Sequence, residues 1–133
     1  MILQQLKKVG LKKTPGRISV LEALSHHASP VDVNELVQIL ERNNVTLDKV
    51  TVYRILEVFV EKGLIERVEL QEGKFRYEVI KDHHHHFVCT DCGSIEDMDD
   101  CCIDDHVKNA AKKHNFLIEK HALEFYGRCG SCQ

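Results

Sequence analysis

The chain has 133 residues, 43% of them hydrophobic, and a formal net charge of −3. That length holds one domain or two small ones with real cores, and no apolar stretch approaches the roughly 20 residues needed to span a membrane. The opening MILQQLKKVG lacks the apolar segment of an export signal, and six cysteines without such a signal point to a reducing, cytoplasmic setting where metal ligation is commoner than disulfides.

Taken in chain order, the first half reads as helices. Apolar spacing in ILQQLKKVGL and RISVLEALSHH predicts two short helices divided by KKTPG, with Pro15 just inside the second helix's start. SPVDVNELVQILER opens a third helix after Pro30, with Asp32 as N-cap and Leu36, Ile39 and Leu40 on one face. TLDKVTVYRILEVFVEKG makes a fourth, capped by Thr46 or Asp48 and stopped at Gly63. LIERVELQEGKFRYEVI then alternates on both sides of Glu72-Gly73, the pattern of a β-hairpin. Helices followed by a hairpin give the order of a winged helix-turn-helix, a DNA-reading module.

Charge is distributed unevenly. Residues 1–80 carry 12 Lys and Arg against 11 Asp and Glu, whereas residues 81–133 carry 6 against 10. Lys7, Lys8, Lys12, Lys13 and Arg17 all precede the first acid, Glu22. Such a cluster could meet phosphate, but taken alone it reads first as a solvated helix face. Thr51, Tyr53 and Arg54 near the fourth helix's start place a hydroxyl, a phenol and a guanidinium where a recognition helix meets bases and phosphates. The competing reading makes Tyr53 a core aromatic and Arg54 a solvated charge.

Beyond residue 81, HFVCT and SIEDM read as short strands joined at a cysteine-containing turn. DDCCIDDHVKNAAKKH reads as a helix with acids first and Lys112, Lys113 and His114 last, and FLIEKHALEFYG as a longer final strand. The expected fold is α+β: an N-terminal winged helix-turn-helix domain with hinge over residues 1–80, and a small α/β dimerisation domain over 81–133. The second half is too small to close a core alone, so a second copy is expected to complete it.

Cys89-x-x-Cys92 and Cys129-x-x-Cys132 stand 36 residues apart. Four thiolates at that spacing close a tetrahedral shell around zinc and leave no open position, which makes the site structural. The run DHHHHFVC is internal, so it is no terminal tag. On a strand, His83 and His85 face one way and His84 and His86 the other, giving two ligand pairs. Glu78, Asp97, Asp104 and His121 offer further ligands, and mixed His/carboxylate shells suit Fe(II), Mn(II), Zn(II), Co(II) or Ni(II) in exchangeable sites. Cys101 and Cys102 read as small side chains at a helix start, with a lowered-pKa redox thiol or extra metal ligation as the alternatives.

TVYRIL on a recognition helix, HHHHFVCTDCG, HALEFYG and a terminal CxxC together resemble the ferric uptake regulator family of metal-responsive repressors, over nearly the whole chain. The resemblance implies a winged-helix domain, a hinge, a dimerisation domain, and metal-promoted binding to double-stranded operator DNA, an AT-rich palindrome. By position it implies a regulatory metal at Glu78, His84, His86 and Asp97, and a second metal at His83, His85, Asp104 and His121. It also puts Lys12, Arg17, Thr51, Tyr53 and Arg54 against DNA. The family commonly adds a histidine from the start of the third helix to the regulatory site, and here Pro30 stands there; His26 and His27 read first as an exposed helix end, with substitution for that ligand as the alternative. Glu78 favours Fe(II) as the sensed metal and His85 leans toward Zn(II), with Mn(II) the other alternative. Iron comes first, with zinc-responsive or peroxide-sensing members of the family as alternatives. The assembly expected is a homodimer or a higher oligomer, with no membrane partner.

Two other classes compete. A metallohydrolase would need acid–base residues beyond the ligands, and neither HExxH nor a glycine-rich phosphate loop is present. A structural zinc-binding interaction module would have no use for the basic N-terminus and TVYR. The reading is therefore a regulator and not an enzyme.

Overall fold

The chain divides into two units, Met1–Ile80 and Lys81–Gln133. The computed structural model describes residues 1–81, 84–100 and 104–133, so the readings of His83, Cys101 and Cys102 lie outside the described residues.

The first unit contains α1 (Ile2–Lys8), α2 (Pro15–Ser25), α3 (Val33–Arg42), α4 (Lys49–Glu61), β1 (Ile65–Glu69) and β2 (Phe75–Val79). Local chemistry sets each start. Thr14 accepts a hydrogen bond from the Arg17 amide at 3.3 Å with Pro15 at the first helical position of α2. Asp32 and Glu35 form a reciprocal capping box on α3 (2.8 and 3.2 Å), and Asp48, not Thr46, caps α4 through the Thr51 amide at 2.7 Å. The end of α4 is a Schellman turn. Gly63 takes φ +73°, and the amides of Gly63 and Leu64 return to the carbonyls of Val60 and Phe59.

These helices place Val52, Leu56 and Phe59 of α4 against Leu6, Val20, Leu21, Leu24, Leu36, Leu40, Ile65 and Tyr77, all buried. The β1–β2 hairpin pairs antiparallel from Ile65↔Val79 to Glu69↔Phe75, turning through Gln71 and Gly73 at positive φ. Val31 adds an antiparallel bridge to Tyr77, which joins the hairpin to the segment leading into α3. Polar contacts reinforce that join. The buried Arg76 guanidinium donates two hydrogen bonds to Glu72 (2.8 and 2.9 Å), reaches both oxygens of Glu35 (3.1 and 3.3 Å) and donates to the Pro30 carbonyl (3.2 Å). Lys74 pairs with Asp32, the cap residue itself. This is the winged helix expected from the element order.

The second unit contains β3 (His85–Cys89), β4 (Ile95–Met98), α5 (Asp105–Lys113) and β5 (Glu124–Gly127), with strand order β4-β3-β5. β3 is central, antiparallel to β4 with His86 opposite Asp97, and parallel to β5 with His86 opposite Glu124. Two expectations change here. The final strand is only Glu124–Gly127, because the five-residue β3 offers no longer edge to pair with. Residues 116–123 carry no regular structure. Helix α5 begins at Asp105, with Asp104 as its cap accepting from the Val107 amide at 3.2 Å, rather than at the acids near residue 99. Among the described residues, no helix is long and apolar enough to cross a membrane.

Candidate metal centres and nucleic-acid face

Cys89 ends β3, Cys92 lies in the turn toward β4, and Cys129 and Cys132 follow β5. The pairing of β3 with β5 brings the two CxxC pairs together, so that one sulfur from each residue lies within 4.8 Å of every other. The Cys92 and Cys129 sulfurs are 3.7 Å apart. Two thiolates on one tetrahedral zinc, each with a Zn–S bond of ~2.3 Å, would be ~3.8 Å apart, so the spacing fits.

Protonation points the same way. Backbone amides of Cys92 and Cys129 pull the Cys89 thiol down to about 6, and the Ser94 hydroxyl 3.2 Å away lowers Cys92. Cys132, hydrogen-bonded to Cys129 and Cys89, is pushed up to about 12. Several thiolates packed together hold the last proton tightly, and a divalent cation removes that obstacle.

His84, His86 and Asp97 form a second group, each bringing one ligand atom within 4.8 Å of the others. The β3–β4 register accounts for this, since Asp97 is the cross-strand partner of His86. Their nearest atoms, Nε2 and Oδ1, are 3.7 Å apart. His84 lies two residues before His86, with its ring edge-on at 4.9 Å. Glu78, the fourth residue of the expected regulatory set, is buried on β2 in the first unit.

The next residue along β3 faces the other way, as strand alternation requires. His85 is buried, and its Nε2 lies 3.3 Å from Nε2 of His121. Of the expected second set, these two meet. Asp104 is exposed, caps α5, and joins no group of three or more ligands among the described residues.

On the first unit, Val52 and Leu56 face the core while Tyr53, 49% exposed, and Arg54 face outward. Tyr53 is therefore not a core aromatic. Thr51 is half-buried at the capped first turn. Lys12 is exposed, and Arg17 donates to the Lys12 carbonyl at 3.1 Å, which braces the segment before α2. His26 and His27 are exposed at the end of α2, and His26 Nδ1 engages the Glu22 carbonyl of its own helix. Sequence reasoning did not single out Lys81, which forms an ion pair with Asp97. Its only sequence signal is its position two residues ahead of the histidine run.

A winged helix followed by a unit that gathers thiols at one end of a strand and histidines at the other defines a class, the metal-dependent transcription regulators. Comparison with known proteins agrees. The profile of the Ferric uptake regulator family matches residues 8–126, and the chain belongs to that family, whose members are transcription regulators and not enzymes. The Ferric uptake regulation protein of Bordetella parapertussis is 36% identical over 134 residues, covering 97% of this chain and 94% of that protein. The crystal structure of the Vibrio cholerae ferric uptake regulator matches with a TM-score of 0.84 at 34% identity, covering 95% of this chain and 98% of that one. The Campylobacter jejuni peroxide stress regulator matches with a TM-score of 0.73 at 32% identity, covering 99% of both chains.

Proposed function

We propose that this chain is a cytoplasmic, iron-responsive repressor that binds an AT-rich palindromic operator as a homodimer. Residues 1–80 would be the DNA-binding domain with its hinge, and residues 81–133 the metal-binding dimerisation domain. Cys89, Cys92, Cys129 and Cys132 would hold structural Zn(II). Glu78, His84, His86 and Asp97 would hold regulatory Fe(II), and His85 and His121, with His83 and Asp104, a second metal. The observation that carries the reading is the convergence of His84, just ahead of β3, with His86 and Asp97 on neighbouring strands. Mixed imidazole and carboxylate donors bind divalent cations exchangeably, as sensing requires.

Each residue has a task in this account. Tyr53 and Arg54 meet base edges from α4, and Lys12 and Arg17 meet phosphates. Glu78 is on β2 and the other three regulatory ligands follow residue 81, so their joint use of one cation favours a single arrangement of the chain around the hinge. If that arrangement also binds DNA more tightly, linkage makes metal and DNA reinforce each other's binding. Pro30, where the family commonly adds a histidine, leaves Glu78 as the first unit's ligand in this set.

The test is a mobility-shift titration on an AT-rich palindrome with Fe(II), Mn(II) or Zn(II). Retardation should require metal, appear at the lowest concentration with Fe(II), and be lost in His86→Ala and Arg54→Ala. Binding that ignores metal would sink the proposal. Activation by Zn(II) alone would favour a zinc-responsive regulator, toward which His85 leans. Loss of binding after brief peroxide treatment would favour a peroxide sensor, for which the likeness to the Campylobacter protein speaks.

A further inference from the structure

Lys81 opens the second unit, and its Nζ sits on Oδ2 of Asp97. The other oxygen, Oδ1, faces His86. One carboxylate is thus divided between the imidazole cluster and a fixed ammonium group. The Lys81 side chain is 36% exposed and that of Asp97 25%, so bulk water only partly screens the pair.

We propose that Lys81 is a built-in competitor for Asp97, setting the concentration at which the His84–His86–Asp97 cluster takes up its divalent cation. The proposal rests on reading that cluster as the regulatory site. An ammonium on Oδ2 leaves Asp97 a single oxygen to offer and withdraws electron density from it. An incoming cation also meets a like charge well inside the Debye length of about 8 Å at physiological salt. If Lys81 stays, it repels the ion, and if it leaves, the ion must first replace an existing pair. Both routes weaken binding. The penalty is coulombic and not a matter of donor softness, so Mn(II) and Zn(II) should suffer alike.

The experiment uses the full chain with its zinc retained and titrates Mn(II) against a fluorescent chelator. Lys81→Met should bind Mn(II) about tenfold tighter, on the order of what relief from one like charge a few ångströms away provides at a partly screened site. Lys81→Arg, which keeps the charge, should bind as the unchanged chain does. The gain should shrink, without vanishing, at about 1 M salt, because a partly buried pair is screened less than an exposed one. In an Asp97→Asn background, adding Lys81→Met should change nothing. Unchanged or weaker binding in Lys81→Met, or an equal gain in the Asp97→Asn background, would overturn the role given to Lys81. His86→Ala separates the two levels. If it binds Mn(II) as the unchanged chain does, the cluster is not the site and the proposal fails with it. If it loses Mn(II) while Lys81→Met changes nothing, only the role of Lys81 fails.

Discussion

The two units are closed by different means. In the first, leucines, valines and Phe59 fill a continuous interior, and each fully buried aliphatic or aromatic side chain is worth about 1.5–3 kcal/mol relative to exposure. In the second, Cys89 is the only buried apolar side chain among the described residues, and the other buried side chains are His85 and His86. Most of its large apolar side chains among the described residues are exposed, with Phe116 at 73% and Leu117 at 86%. A sheet of three short strands cannot close a core of that composition. The first unit is held by what it hides from water, and the second depends on what its ligands and apolar surface bind.

The strongest way to break the comparison is to remove the thiols. Cys92→Ser should abolish zinc retention and unfold residues 81–133, while the first unit still melts cooperatively. Structural zinc supplies an apparent ~10–16 kcal/mol in small domains. Zinc analysis with circular dichroism and sedimentation would check this, and a variant that keeps its zinc and its native mass would refute it.

Acid should reach the same end more gently. Cys89 ionises at about 6 when folded, below the ordinary thiol value. Without metal, its contribution is therefore full above the unfolded value and lost as pH falls through about 6, and a bound cation moves that loss to lower pH, where protons compete with it. Cys132 shifts upward, so its effect is confined to alkaline pH. In the first unit, burial raises the Asp32 pKa, but the Lys74 hydrogen bond, the Glu35 amide and the Lys74 and Arg76 charges outweigh it and leave the value lowered. Arg76 likewise lowers Glu72. Those contributions are lost only below the usual carboxylate value of about 4. On titration toward acid, zinc release and loss of second-unit structure should precede unfolding of the first unit. The reverse order would break the comparison.

Phe59→Ala should cost the first unit about 3–5 kcal/mol by opening a cavity, read as a lowered denaturation midpoint with zinc content unchanged. Arg76→Met should cost about 1–3 kcal/mol, since charged hydrogen bonds to Glu72, Glu35 and the Pro30 carbonyl go while the partly exposed carboxylates return to water. Lys74→Met removes a half-exposed partner of Asp32 and should cost less than about 1 kcal/mol. If Lys74→Met cost more than Phe59→Ala, the first unit would be held by charge and not by its interior.

The first unit was legible because its signals are local. Pro15, Asp32, Asp48 and Gly63 mark helix ends within a few residues, and the hairpin turns where Glu72-Gly73 predicts. The CxxC spacing was legible for the same reason. Strand alternation placed His85 and His86 on opposite faces, but not their separate partners, His121 and Asp97. Asp97 depends on the β3–β4 register and His121 on the path of the irregular segment before β5, and no local pattern sets either. The Arg76 clamp on α3 spans more than forty residues and escaped notice on that account. The long final strand was overread because FLIEKHALEFYG has strand-like composition, whereas pairing is limited by the length of β3. At Asp104 one carboxylate could serve as metal ligand or helix cap, and the cap is the contact observed among the described residues.

β3 has a consequence beyond the sites it serves. Within five residues it supplies His85 to one imidazole pair, His86 to the carboxylate cluster and Cys89 to the thiols. Its two hydrogen-bonded neighbours carry Asp97 and lead into Cys129. Three ligand groups therefore share a single length of backbone, wired in series. Displacing β3 as a whole disturbs all three together, so a cation held at any one of them would steady the other two.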